Sequence, residues 1–350
     1  MPTNFMETRA LPLVTIAIPT RNRARSYLPV ALRSALGQCY PRVEVLVSDN
    51  ASSDGTAALV ESMARSVRFF RHPVDIGANA NYNFCLSQAR GDYFLLLHDD
   101  DAIDDDFVSA CMARAGFTVR EGVIRTGIRV IDDTGATVRE ITNGVGQGNL
   151  AEYFHAWFAG KTCWYLANTL FNTAQLRAQG GFRSRYGLAE DGFAIARLAR
   201  LDRLDLQAVK ASFRVHDGER TIANPSHAVL WGREYLDLLD CMCELVPKHE
   251  VPPLRRAGER FFAQLAYNRA GLLSSPAARM RASLAVLRLF QFRCWPTHRS
   301  KTLRFFRRAA GYARRRTQKL LARRIAPPPA RGRVKINRLP PMREYERPQP

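Results

Sequence analysis

VEVLVSDNASSDGT, residues 43–56, passes from an apolar run through a polar turn into a helix within fourteen residues. A short run of this kind, closed by Ser48, Asp49 and Asn50, reads as a buried strand. Ser53 or Asp54 can cap the helix TAALVESMAR that follows, because both side chains accept hydrogen bonds from first-turn N–H groups. The same grammar repeats on either side. VTIAIPT (14–20) is a strand and residues 25–37 a helix. Residues 67–71 (VRFFR) and 93–98 (YFLLLH) are further strands, with a helix over 78–89 between them. Strands alternating with helices of 10–15 residues imply βαβ units. The expected fold is therefore α/β, a Rossmann-like, mainly parallel sheet flanked by helices. Ligands of such sheets gather at the carboxyl ends of the strands. PTRNR, SDNASSDGT and HDDD all fall there.

HDDDAIDDD, residues 98–106, places six aspartates within nine residues. Like charges this close raise one another's pKa unless a cation intervenes. Asp99–Asp101 directly follow a buried strand, and hard divalent cations take oxygen ligands from one or two carboxylates plus substrate phosphates. Carboxylates suit magnesium or manganese better than zinc. Asp104–Asp106 instead open a helix, where acids complement the helix dipole. Asp49 can cap a helix or accept a hydrogen bond from a nucleobase ring N–H. Glu190 and Asp191 (EDG, 190–192) stand just before or at a helix start, where capping alone accounts for them. His216 lies in FRVHDGERT (213–221), a polar turn after an apolar stretch, open to a structural role or to a phosphate or metal contact.

The composition narrows the classes. Hydrophobic residues make up 46% of the 350, enough for a substantial core. No apolar run approaches the ~18–20 residues of a spanning helix. VTIAI is soon followed by TRNRAR, so no cleaved signal peptide is expected. Seven scattered cysteines form no CxxC pair, which speaks against a zinc knuckle or a disulfide frame and for a reducing cytosol. The formal charge of +20 is unevenly spread: residues 260–343 hold 22 of the 52 Lys and Arg and no acid. The preceding body is close to neutral.

In this order and spacing, VTIAIPTRNR, VEVLVSDNASSDGT, IGANANYNFCLSQARGDYFLLLHDDD, GGF followed by EDG, and FRVHDGERT resemble the family-2 glycosyltransferases of GT-A fold. The resemblance covers about residues 12–225. It implies an inverting transfer of a hexosyl or related sugar from a nucleoside diphosphate sugar to an acceptor hydroxyl, in cell-surface polysaccharide or glycolipid biosynthesis. Pro19, Thr20 and Arg21 would line the nucleotide pocket, and Asp49 would hold the base. Asp99, Asp100 and Asp101 would bind Mg2+ or Mn2+ and the donor diphosphate, Asp101 or Asp100 as direct ligand. Asp191 would be the catalytic base with Glu190 beside it, and His216 a late metal or diphosphate contact. Two positions depart from the family pattern. His98 stands where many members carry the motif's first acid, and Asp75 where Asn is usual. Trp157, Trp164 and Tyr165 can stack on a sugar or pack in the core.

The expected organisation is a catalytic domain over 1–226, a helical basic region over 227–325, and a flexible Pro/Arg-rich tail over 326–350. In TLRFFRRAAGYARRRTQKLLARR, Leu303, Phe306, Ala310, Ala313, Leu320 and Leu321 share one helical face, and Arg304, Arg308, Arg315 and Lys319 another. A basic amphipathic helix is a signature of anionic membrane surfaces. That suggests a cytoplasmic protein held peripherally on the inner face of the membrane, facing a glycan or lipid-linked acceptor. The alternative is a helix packed on the body. Two other classes stand beside the enzyme: a catalytically silent nucleotide-sugar binder, and a basic nucleic-acid-binding protein. Specific nucleic-acid binding is not expected, since it leaves the strand-end acids unexplained. A sugar nucleotidyltransferase would open with a Gly-rich loop, which PTRNRARS lacks.

Overall fold

Alternate residues of the first strand serve two cores. In β1 (Val14–Thr20), Val14, Ile16 and Ile18 face one apolar cluster and Ala17 the other. The computed structural model describes residues 11–63, 66–145, 148–216 and 227–296. After β1 come α1 (Leu28–Leu36), β2 (Val43–Asp49), α2 (Thr56–Met63), β3 (Arg68–Arg71), α3 (Ala78–Gln88) and β4 (Tyr93–Leu96). These agree with the expected strands and helices to within a few residues at their ends. β1 pairs in parallel with β2 and β4, and β2 with β3. Strands covered on both sides need continuous apolar runs, which is why VTIAI and YFLLL carry no alternation.

The chain continues through β5 (Ala102–Ile103), α4 (Phe107–Arg114), β6 (Val123–Ile131), β7 (Thr137–Ile141), α5 (Leu150–Phe158), β8 (Thr169–Asn172), α6 (Thr173–Ala178), α7 (Glu190–Ala199) and β9 (Arg203–Arg214). Among the described residues the sheet has nine strands, in the order β3-β2-β1-β4-β8-β6-β9-β5, with β7 beside β6. The parallel half is the one legible in the first hundred residues. Beyond β4 the sheet is mixed: β8 runs antiparallel to β4 and β6, while β9 runs parallel to β6.

Three further helices, α8 (Ala228–Glu244), α9 (Val251–Ala270) and α10 (Pro276–Leu289), follow. Their buried Leu238, Leu239, Met242, Leu254, Phe262 and Tyr267 join the cluster that includes Phe94, Phe171 and Phe193. Each such apolar side chain contributes about 1.5–3 kcal/mol on burial. Close helix contact depends on small residues, since a Cβ on Gly258 would meet Leu239 Cδ1 at 2.3 Å. The basic segment 303–321 and the tail 326–350 lie outside the described residues.

Helix α3 has the unpromising sequence ANANYNFCLSQ, and asparagine is a poor helix former. Its asparagines are used sideways. Asn81, 2% exposed, exchanges hydrogen bonds with Ser48 of β2. Asn79 and Asn83 hold the backbone of Phe182 in the GGF turn, at 3.0 and 2.9 Å. This ties the turn before EDG to the strand ends.

Candidate active site

The acid turn is built by β4 and closed by β5. After β4 the chain bends, and the Asp101 N–H donates to the His98 carbonyl at 3.1 Å. Residues 102–103 then pair antiparallel with Ser212 and Ala211 of β9. This pairing brings residues more than a hundred positions apart into contact. The Arg214 backbone N–H donates to Asp101 Oδ1 at 3.0 Å, and its Nε to the Asp100 carbonyl at 2.9 Å. His216 Nε2 lies 2.9 Å from Asp100 Oδ2. The His216 ring packs on Tyr27, centroids 5.0 Å apart.

The three successive aspartates separate in role. Asp99 turns towards β1, where its Oδ2 accepts from the Thr20 hydroxyl at 2.7 Å and the Arg21 N–H at 3.4 Å. Asp100 and Asp101 instead converge with His98, their ligand atoms all within 4.8 Å of one another. Burial, then the neighbouring charge of Asp100, pushes Asp99 up to about 7. The same two causes raise Asp101, 2% exposed, well above the usual carboxylate range. Negative charge that its hydrogen bonds leave partly unbalanced is the condition under which carboxylates take a divalent cation. The His/Asp/Asp donor set fits one.

These residues line a cavity of about 970 Å3, together with Pro19, Thr20 and Arg21. Asp49 is not brought to its wall. It is 1% exposed; its Oδ1 accepts from the Ser52 N–H at 3.0 Å and its Oδ2 lies 3.5 Å from Arg71 Nε. The turn uses this aspartate for itself, and the next residue, Asn50, lines the cavity instead. Asn50 Nδ2 donates to Asp75 Oδ1 at 2.7 Å, and Asp75 also pairs with the Arg21 guanidinium. The Gly77 N–H, above other causes, holds Asp75 below the usual carboxylate range.

Glu190 and Asp191 form the first turn of α7 and line the same cavity. Burial and the adjacent Glu190 raise Asp191 to about 6. The glycine of EDG has a packing reason, because a Cβ at Gly192 would meet Leu238 Cδ2 at 2.8 Å. The loop before α7 is held by Glu234, fully buried on α8, which accepts from the N–H groups of Tyr186, Leu188 and Ala189 at 2.9, 3.2 and 3.3 Å. Sequence reading missed Glu234. Its signal was present: an acid on the buried stripe of Trp231, Tyr235, Leu238 and Met242.

Trp157 and Trp164 stack on each other, centroids 4.0 Å apart and 3° from parallel, against Phe261 and Phe262. Core packing accounts for the pair, although Trp164 and Tyr165 also reach the cavity.

The model of glycosyl transferase family 2 matches residues 15–177. A Campylobacter jejuni GalNAc(5)-diNAcBac-PP-undecaprenol beta-1,3-glucosyltransferase is 25% identical over 235 residues, 61% of this chain and 74% of that protein. Other curated relatives are matched over half of their own length or less. S. aureus TarS, solved with UDP-GlcNAc, superposes with a TM-score of 0.52 at 16% identity, over 81% of this chain and 93% of that one. The mannosyltransferase PcManGT of Pyrobaculum calidifontis, solved with GDP-Man and Mn2+, gives 0.51 at 17%, over 81% and 83%. These neighbours share the GT-A fold. Residues 15–177, which include the strand-end motifs of β1, β2 and β4, are thus matched by glycosyl transferase family 2, and the chain shares the GT-A fold of its solved neighbours.

Proposed function

We propose that this glycosyltransferase moves a sugar, with inversion at C1, from a nucleoside diphosphate sugar to an acceptor hydroxyl, in building cell-surface polysaccharide or glycolipid. One observation carries the reading: a single cavity is lined by both the 98–101 turn and Asp191. A donor with its diphosphate at the turn would present C1 to an acceptor lying near Asp191. Pro19, Thr20 and Arg21 flank the donor, and Asn50 with Asp75 forms the remote wall where a base would lie.

Asp100 and Asp101 would hold a divalent cation, Mg2+ or Mn2+, with His216 steadying Asp100. Such an ion, when bound, neutralises charge developing on the departing diphosphate. Asp99 keeps the β1 loop in register through Thr20. Asp191 removes the hydroxyl proton as the oxygen attacks C1 from the face opposite the leaving diphosphate. A base near 6 is ionised at neutral pH yet more basic than an ordinary aspartate. Glu190 raises that basicity, and Glu234 fixes the loop from which both project.

The undecaprenol-linked substrate named for the Campylobacter relative supports a lipid-linked acceptor here, reached by peripheral attachment to the membrane. No helix among the described residues is long and apolar enough to cross one. The test is single-turnover transfer by Asp191→Asn. The expected loss is ~10²–10⁴-fold, with donor affinity kept. Normal turnover would remove Asp191 from the mechanism.

A further inference from the structure

A nitrogen donor stands in what would otherwise be an all-oxygen cation site. We propose that His98 is a direct metal ligand, and that it sets the site's preference for first-row divalent ions that accept nitrogen, such as Mn2+ and Co2+, over Mg2+. This rests on the metal reading above and goes beyond it to the identity of the ion.

The geometry carries it. His98 Nδ1 lies 3.9 Å from Asp101 Oδ2, and the donor atoms of His98, Asp100 and Asp101 all lie within 4.8 Å of one another. Two ligands each ~2.1 Å from one ion stand ~3.0 Å apart at a right angle and ~4.2 Å apart when opposite. The 3.9 Å separation falls inside that range. The turn hydrogen bond from Asp101 N–H to the His98 carbonyl draws the two residues together. Tyr82 packs against the imidazole at 5.3 Å and 32°, which restrains the ring plane. Asp99, the neighbour that would have made the set all-oxygen, has its carboxylate turned to the Thr20 hydroxyl.

The consequence follows from ligand chemistry. Mg2+ demands near-ideal octahedral oxygen coordination and sheds water reluctantly. Imidazole strengthens binding along the series from Mn2+ to Co2+ and beyond, with no comparable gain for Mg2+. Exchanging His98 for a carboxylate would restore oxygen and narrow the difference.

The test uses the full chain titrated calorimetrically with MnCl2, CoCl2 and MgCl2. Wild type is expected to bind Mn2+ roughly tenfold or more tighter than Mg2+, with Co2+ tighter still. His98→Asp is expected to keep a site but bring Mn2+ and Mg2+ within about threefold. His98→Asn, a smaller change in charge, should weaken Mn2+ while thermal unfolding shows an intact fold. Because His216 also carries an imidazole, nitrogen coupling to bound Mn2+ is read by pulsed electron paramagnetic resonance in a His216→Gln background. The coupling should persist there and vanish in His98→Asp/His216→Gln. An unmoved Mn2+:Mg2+ ratio in folded His98→Asp, or nitrogen coupling surviving in the double variant, overturns the proposal while leaving the metal reading intact. Failure of wild type to bind any of the three ions overturns both.

Discussion

Two aspartate triplets of the same composition, Asp99–Asp101 and Asp104–Asp106, stand two residues apart and meet opposite surroundings. In the second, Asp104 pairs with Arg129 at 3.0 Å and Asp106 with Lys210 at 2.6 Å. Asp106 is also the residue before the first turn of α4. In the first, the carboxylates accept mainly from a hydroxyl, backbone N–H groups and an imidazole, and burial raises Asp99 and Asp101. Composition does not tell these triplets apart. Placement does: one closes a strand over a cavity, while the other meets cationic side chains from β6 and β9. An acid whose charge is already paired is structural, and an acid left with surplus charge beside a cavity is available for chemistry.

The sharpest break of this comparison is to neutralise one member of each triplet. Asp101→Asn is expected to reduce metal-dependent transfer by ~10³-fold, comparable to losing a principal transition-state contact. Asp106→Asn should leave transfer unchanged. Assays at saturating Mn2+ check both, and equal losses would erase the distinction.

A second buried acid extends the contrast to stability. Glu234→Ala strips three backbone N–H groups of their acceptor and is expected to cost about 3 kcal/mol in denaturant unfolding. Glu234→Gln should recover part of this loss, since its carbonyl still accepts.

The acid limb of the pH profile sharpens the comparison from another acid that lines the cavity. The base role proposed for Asp191 requires its ionised form, so on that proposal transfer should fall about tenfold per pH unit below about 6. Glu190→Gln removes the second cause of that elevation, so the midpoint should move to lower pH without reaching an ordinary aspartate's, since burial remains. The linked stability effect has a fixed sign. A carboxyl raised on folding favours the folded state at low pH, and that contribution is lost as pH rises from about 4 through about 6. Asp191→Asn should therefore flatten this part of the curve of Tm against pH.

The smallest effect belongs to the surface pairs. Asp104→Asn leaves Arg129 its contact with Glu140 at 3.2 Å and should cost at most ~1 kcal/mol.

Much of this was legible in the sequence, for identifiable reasons. β1, β2 and β4 are short, mainly apolar runs closed by polar turns, which is what made them readable. The functional stretches followed, since they sit where those strands stop. What escaped depends on contacts between distant residues. β5 is only two residues inside an acidic run, and it is a strand because β9 lies beside it. Asp49 occupies the expected strand end, but its carboxylate is buried beside the Ser52 N–H and Arg71, and the next residue, Asn50, lines the cavity. Nothing local distinguishes Asp99 from Asp100; their roles divide because Thr20 faces one and His216 the other.

The most direct test of the central claim, that the first triplet and not the second serves the cation and the donor diphosphate, is calorimetric titration with uridine diphosphate and guanosine diphosphate. Each is titrated with and without Mn2+, into wild type, Asp101→Asn and Asp106→Asn. The expected result is that at least one nucleotide binds wild type and Asp106→Asn more tightly with Mn2+, and that Asp101→Asn loses this increment while staying folded. An Mn2+ increment that survives in Asp101→Asn, or disappears in Asp106→Asn, would contradict it.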